Sequence, residues 1–288
     1  MIKEIQAKTL LARVRGPDDW FGLHYNMNLY RGCQHQCIYC DSLSECYQIE
    51  NFADILVKVN AIDLLRRELT HKRIKGTIGT GSMNDPYMPL EAERRLTRQA
   101  LEVIAEFRFP VHVITKSDLV LRDMDLLKEI SRVYAAVTFT ITAADDELSK
   151  KLEPGAPVSS RRFTAMKTLS ENGILTGVTL MPVLPFIEDN EENITRIVER
   201  AHANGASYIL PAFGMTLRDR QRAYYYDKLE QSFPGLSQRY VRAFAGRYFA
   251  AAQNARELEN RFNTLCQKYK IDTRIPVYIP ETSQPRLF

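Results

Sequence analysis

The sequence predicts an α/β fold organised around a parallel sheet, and three observations carry that expectation. Six runs of strand-forming residues alternate with helical patterns along the first 215 of the 288 residues. Several of these runs are rich in β-branched residues and apolar on both faces, as strands covered on both sides require. Asn-Gly pairs at 172–173 and 204–205 each close a helical pattern just before a strand, with glycine supplying the left-handed stop. Such βα units in series imply a parallel sheet, either open and doubly wound or curled into a barrel.

In chain order, HYNMNLY (24–30) and KGTIGTG (75–81) read as the first two strands. Within 89–107, Leu96, Ala100, Val103, Ile104 and Phe107 share one helical face. VHVITK (111–116) and AAVTFTIT (135–142) are the third and fourth strands, ILTGVTLMP (174–182) and ASYILPAF (206–213) the fifth and sixth. Ile194, Ile197, Val198 and Ala201 mark the helix between the last two. From Leu217 onward the alternation stops and the pattern is helical, with Val241, Phe244 and Tyr248, then Leu258, Phe262 and Leu265. The expected division is a core over 1–215 and a helical extension with a tail over 216–288. Most strands end in polar or small residues (Gly81-Ser82, Lys116-Ser117, Thr140 to Thr142), and in parallel barrels the C-terminal strand ends carry the chemistry.

No run of eighteen apolar residues exists, so no membrane span is expected. The N-terminal MIKEIQAKTLLARVRG is interrupted by charges and does not read as a secretory signal. Five cysteines, three of them crowded together, fit a reducing cytoplasm better than a disulfide framework. The net charge of +4 is unevenly placed: residues 216–270 hold 11 Lys/Arg against 5 Asp/Glu. A basic C-terminal third suits phosphates such as those of nucleic acid, or is simply a solvated helical face.

The crowded cysteines are Cys33, Cys37 and Cys40, spaced C-x3-C-x2-C in YRGCQHQCIYCDS just after the first strand. A structural zinc site closes four ligands around the ion. The fourth here is His35, whose ring sits awkwardly between two ligands, or Cys46. A four-iron four-sulfur cluster has another logic, because three thiolates bind three irons and leave the fourth open to a small molecule.

That spacing and its place resemble the radical S-adenosylmethionine superfamily. AKTLLARVRGPDDWFGLHYNMNLYRGCQHQCIYCDS, GSMNDPYMPLE, VITKSDLVLRDMDLL and TFTITAADDELSKKLEPGAPVSSRRF are similar to its spore photoproduct lyase-related branch, often labelled DNA repair photolyase. The resemblance covers residues 7 to 215 and implies a partial (β/α)6 TIM-type barrel with a C-terminal helical extension. It implies a [4Fe-4S] cluster on Cys33, Cys37 and Cys40, with S-adenosylmethionine chelating the fourth iron. Reductive cleavage would then give a 5′-deoxyadenosyl radical that takes hydrogen from a substrate, the protein positioning the cofactors and excluding solvent. Ser82 corresponds to a residue contacting the methionine part, Lys116 to the partner of the cofactor carboxylate, and Thr140 to a contact of the ribose. Glu153, Arg162 and Asp85 sit in family-like motifs without an assigned role. The reductant implied is a flavodoxin- or ferredoxin-type electron donor.

The chain departs from the family in two places. Gly79-Thr80-Gly81-Ser82 stands where many members carry Gly-Gly-Glu, and Gly81 replaces the cysteine that donates hydrogen in true lyases. Repair of a thymine photodimer is therefore not expected. Cys266, beside a helical apolar face, reads as a buried hydrophobe. His35 and His112 read as surface or packing residues. Tyr224, Tyr225 and Tyr226 offer base-stacking rings, although three adjacent positions cannot share one helical face.

Three functions follow in order of preference: a radical enzyme acting on nucleic acid, one acting on a protein, peptide or small molecule, and a non-catalytic zinc module using Cys46. The terminal ETSQPRLF, with Gln284, Leu287 and Phe288, is also similar to peptides that dock on the bacterial sliding clamp; the alternative is a tail folded on its own barrel. Clamp binding that survives Leu287→Ala and Phe288→Ala ends the docking reading.

Overall fold

In a computed structural model of the chain, residues 1–280 are described apart from 17, 19, 50 and 52. The clamp-like tail lies outside the described residues. The chain begins with four short strands, β1 (Ile2–Ile5), β2 (Leu11–Arg13), β3 (Tyr25–Met27) and β4 (Tyr30–Arg31). After two short 3-10 turns come β5 (Ile55–Lys58), α1 (Ala61–Thr70), β6 (Ile78–Thr80), α2 (Glu91–Arg94) and α3 (Leu96–Glu106). Then follow β7 (Val111–Thr115), α4 (Met124–Ile130), β8 (Ala135–Thr140), α5 (Asp146–Leu152) and α6 (Ser159–Glu171). The core ends with β9 (Leu175–Leu180), α7 (Glu191–Ala203) and β10 (Tyr208–Pro211). Beyond it lie β11 (Gly214–Thr216), α8 (Asp219–Ser232), α9 (Leu236–Phe244), β12 (Phe249–Ala251) and α10 (Ala255–Tyr269).

The main sheet runs β10-β9-β8-β7-β6-β3-β2. Its strands from β3 through β10 are parallel, and β2 joins β3 antiparallel at the edge. These six parallel strands are the six that the alternation predicts. Every residue of β8 is buried, as a strand covered on both faces must be. Inside the sheet, His112 meets the Thr138 hydroxyl at 2.5 Å, and Thr138 in turn meets the Tyr208 hydroxyl at 2.5 Å. Burial pulls His112 down to about 4, so its expected packing role takes the form of a neutral, hydrogen-bonded core histidine.

Three expectations need correction. The first strand, expected over 24–30, is two strands: Tyr25–Met27 belongs to the main sheet, while Tyr30–Arg31 pairs with β5 in a small β1-β5-β4 sheet. The chain bends between them because Lys58 takes both intervening carbonyls, its Nζ donating to Asn28 O and its N–H to Leu29 O. The helix expected within 89–107 breaks at Arg95, whose φ is +52°. There the buried Glu91 carboxylate accepts the Thr97 N–H at 3.0 Å and caps α3 itself. Val241 and Tyr248 do not join the core; the inward residues of α9 are Tyr240 and Phe244, four apart, and Val241 is turned about 100° away from that face. The stops expected at Gly173 and Gly205 are present, at φ +78° and +81°.

The division expected at 215/216 falls inside β11, which pairs with β12, so a strand joins the extension to the core. Helix α10 packs along α7 through Leu258, Phe262 and Leu265, with Cys266 buried beside them. Of the tyrosine run, Tyr225 is buried among Tyr240 and Phe244, Tyr226 packs against the same cluster, and Tyr224 packs against Cys33, Leu43 and Ile49. None is a free stacking ring. No helix of the described residues is long and apolar enough to cross a membrane.

Between β9 and α7, Glu188 is fully buried; Oε2 accepts the Leu184 N–H at 3.0 Å and Oε1 has no partner among the described residues. Burial pushes its carboxyl up to about 8. A carboxyl raised on folding makes the folded state bind more protons than the unfolded one, so stability falls as pH climbs from the ordinary carboxylate range through 8. Glu188→Gln should remove that dependence. Between pH 5 and 9, wild type should lose on the order of 3 kcal/mol more than the variant in urea unfolding.

Candidate active site

Cys33, Cys37 and Cys40 follow β4 and lie against the C-terminal ends of the parallel strands. They line one cavity of about 420 Å³. Ser82 after β6, Lys116 after β7 and Thr140 ending β8 line the same cavity, so all six residues singled out by sequence come together. Burial raises all three thiols, Cys33 to about 12.

Two buried carboxylates tie the cysteine loop to the strands. Asp85 accepts the Thr115 hydroxyl and the Lys116 N–H, both at 2.6 Å, and the Tyr87 N–H at 2.8 Å. His35, between the first two cysteines, donates Nδ1–H to Gly155 O at 3.0 Å. Its Nε2 lies 3.1 Å from Asp85 Oδ2, off the axis of a good hydrogen bond. Desolvation alone would raise Asp85; His35, the Thr115 hydroxyl and the Lys116 amide outweigh it and hold the carboxyl at about 2. His35 is thus a buried brace rather than a surface residue.

The second carboxylate is Glu153, at the C-terminal end of α5. Tyr39, between the second and third cysteines, donates its hydroxyl to Glu153. Arg162 of α6 is fully buried, its Nη2 2.5 Å from Glu153 Oε2, its Nη1 donating to Thr140 O and its Nε to Pro157 O, each at 2.8 Å. Lys116 Nζ lies farther off, 3.9 Å from Glu153 Oε1. Burial opposes the Glu153 charge, but Arg162 and Lys116 outweigh it and lower its carboxyl. Glu153 is thereby committed to Arg162, which leaves Lys116, the one Lys or Arg lining the cavity among the described residues, incompletely neutralised.

The remaining residues are placed as follows. Ser82 is exposed at the rim and donates to Asn28 Oδ1 at 3.4 Å. Thr140 Oγ1 accepts from Thr179 at 2.9 Å. Gly81 has φ +92°, and a Cβ there would sit 2.3 Å from Ile114 O. No cysteine fits at this position unless β7 moves. Cys46 is exposed, does not line the cavity, and has Arg218 Nη1 at 3.7 Å from its sulfur. The four-cysteine zinc arrangement is therefore not brought together.

The donor set suits a [4Fe-4S] cluster. Three sulfurs face a cavity, yet among the described residues no three His, Cys, Asp or Glu side chains converge on a single ion. Thiolates serving three different irons need not converge. A glycine backbone and one under-neutralised lysine beside them suit an amino-acid ligand.

Comparison with known proteins agrees with this geometry. The model of the radical SAM superfamily matches residues 27–202. The chain belongs to the radical SAM superfamily. An uncharacterized protein of Methanocaldococcus jannaschii is 39% identical over 173 residues, 59% of this chain and 64% of that protein. An uncharacterized protein of Mycobacterium tuberculosis is 27% identical over 256 residues, 86% of this chain and 75% of that one. The radical SAM Nα-GlyT isomerase of Pseudomonas phage M6 is 26% identical over 181 residues, 63% of this chain and 37% of the phage protein. Among solved structures, spore photoproduct lyase complexed with dinucleoside spore photoproduct superposes with a TM-score of 0.67 at 17% identity, covering 93% of this chain and 79% of that one. At that identity the likeness shows the fold.

Glu153 and Arg162 share a charge pair that is buried on both sides. Glu153→Gln leaves Arg162 uncompensated and should cost about 3 kcal/mol in urea unfolding. Adding Arg162→Met should recover part of that loss.

Proposed function

We propose that this chain binds a [4Fe-4S] cluster and S-adenosylmethionine and removes hydrogen from a nucleic-acid substrate presented at the cavity mouth. The observation that carries the substrate class is the rim. Phe249 lines the cavity and is 48% exposed; Tyr248 beside it is 57% exposed, with the Arg218 guanidinium 5.3 Å from its ring centre. Exposed aromatic rings among arginines are what unstacked bases and their phosphates bind. Residues 216–270, which supply this rim, hold the 11 Lys/Arg against 5 Asp/Glu. The structural neighbour complexed with a dinucleoside spore photoproduct is consistent with this reading.

The residues divide the work by chemistry. Cys33, Cys37 and Cys40 would hold the cluster, and Lys116 would meet the cofactor carboxylate, with Ser82 and Thr140 on its other parts. When bound and reduced, the cluster and cofactor supply a 5′-deoxyadenosyl radical. Asp85 fixes the backbone of Lys116, while Arg162 holds the Thr140 carbonyl, so both cofactor contacts rest on buried charges. Gly81 lets β6 approach β7 closely enough to shape the floor. The apolar wall of Ile114, Met181 and Met215 excludes water from the reacting atoms. The reductant proposed is a flavodoxin- or ferredoxin-type donor.

The test is anaerobic reconstitution with iron and sulfide, dithionite reduction, and assay of 5′-deoxyadenosine from S-adenosylmethionine. Wild type should form it and Cys37→Ala should not; colourless protein with stoichiometric zinc would sink the enzyme reading. Binding of single-stranded oligonucleotides should weaken steeply with salt. Tyr248→Ala should lower that affinity by about 1–3 kcal/mol, roughly five- to 150-fold. Oligonucleotide binding that ignores both salt and Tyr248 would leave the radical chemistry standing and reject nucleic acid.

A further inference from the structure

The cysteine loop is held from a second side, by residues far along the chain. Residues 216–221, where β11 passes into α8, bond to the stretch from Tyr39 to Ile49. Thr216 donates its hydroxyl to Asp41 Oδ1 at 2.7 Å, and Arg218 Nε lies 3.2 Å from the same oxygen. The Glu45 N–H donates to Asp219 Oδ1 at 3.0 Å. Arg220 donates Nε–H to Leu43 O at 3.1 Å and Nη2–H to Ile49 O at 2.5 Å. Gln221, fully buried, donates to Tyr39 O at 3.3 Å while its Oε1 accepts the Arg218 N–H at 3.1 Å.

The pattern centres on Cys40. Its preceding residue is held at the carbonyl by Gln221, its following residue at the carboxylate by Thr216 and Arg218. The Leu43 N–H, whose own carbonyl Arg220 holds, closes the turn on Cys40 O at 3.4 Å. Cys40 is also the one of the three ligand cysteines that is not fully buried, so packing alone leaves it the least constrained. Partners that orient a metal ligand's surroundings set how firmly the metal is held. We infer that residues 216–221 form a clasp that fixes the third ligand, with Arg220, Gln221 and Thr216 as positioning residues for the cluster. The basic extension then has a duty inside the active site in addition to forming its rim. The inference rests on the cluster-binding part of the proposed function.

The variants are Arg220→Ala, its conservative partner Arg220→Lys, and Thr216→Val, which keeps the shape and removes the hydroxyl. Each is reconstituted anaerobically and compared with wild type in iron content, in the rate at which a ferrous chelator extracts iron, and in the EPR spectrum of the reduced cluster with and without S-adenosylmethionine. Thermal unfolding of each apoprotein separates a folding defect from a loosened ligand. Arg220→Ala should lose iron about tenfold faster than wild type and show an altered EPR spectrum while its apoprotein unfolds normally. Arg220→Lys, reaching one carbonyl instead of two, should fall between. Thr216→Val should move extraction and spectrum in the same direction, so a misfolded Arg220→Ala would not decide the matter. Variants that match a cluster-bearing wild type in extraction rate and spectrum overturn the clasp alone. A wild type that takes up no cluster overturns the clasp and the proposed function together.

Discussion

The structure of this site depends on two carboxylates taken out of water, Asp85 and Glu153. Each faces a side chain of the cysteine loop, His35 between the first pair of ligands and Tyr39 between the second. Each is also anchored to the strand ends, Asp85 through Thr115 and the Lys116 amide, Glu153 through Arg162 to the Thr140 carbonyl. Ile38, Tyr39 and Leu43 pack the loop into the interior, but apolar burial is non-directional and does not by itself set the loop's register. Charged hydrogen bonds in a low-dielectric interior supply the missing constraint, and they tolerate little displacement because an orphaned buried charge is costly. The three cysteines are therefore referenced to the same strand ends that carry Lys116 and Thr140. On the proposed reading, one frame sets both the cluster ligands and the cofactor contacts.

Much of this was legible in the sequence. The six parallel strands announced themselves through β-branched runs apolar on both faces, and the cysteines through a spacing that no ordinary core needs. Ser82, Lys116 and Thr140 could be named because their motifs resemble those of the spore photoproduct lyase-related branch, and each also stands at or just beyond a strand end where parallel sheets place their chemistry. The small strands β1, β2, β5, β11 and β12 were not legible, since three or four residues show no periodicity. Nor were the roles of Glu153, Arg162 and Asp85. An arginine in α6 looks like any solvated helical arginine until folding buries it against a glutamate nine residues earlier and a strand carbonyl 22 residues earlier. Residues 216–221 were still less visible, because their partners lie about 170 to 180 positions away.

Gly81 shows how a local constraint can alter chemistry. Its Cβ position is occupied by the Ile114 carbonyl, and its φ suits glycine. The strands β6 and β7 leave no room there for a larger side chain. No cysteine other than the three of the loop lines the cavity among the described residues. On the proposed reading, a substrate radical is quenched by another kind of group or by the cofactor itself.

Size carries the same point further. A cavity of about 420 Å³ is near the lower end of small-molecule sites, which span roughly 300–1,000 Å³. On the proposed reading, a cluster against the three thiols and a nucleoside-sized cofactor reaching Lys116 and Thr140 share that space, and a nucleic-acid substrate presents its reacting group at the mouth. The extension supplies the surface there, with Phe249 at the edge and Tyr248 and Arg218 beyond it. Arg218 also lies against Asp41, next to Cys40. On the proposed reading, docking and ligand positioning share a residue, and the segment that faces the substrate is the segment that holds the loop.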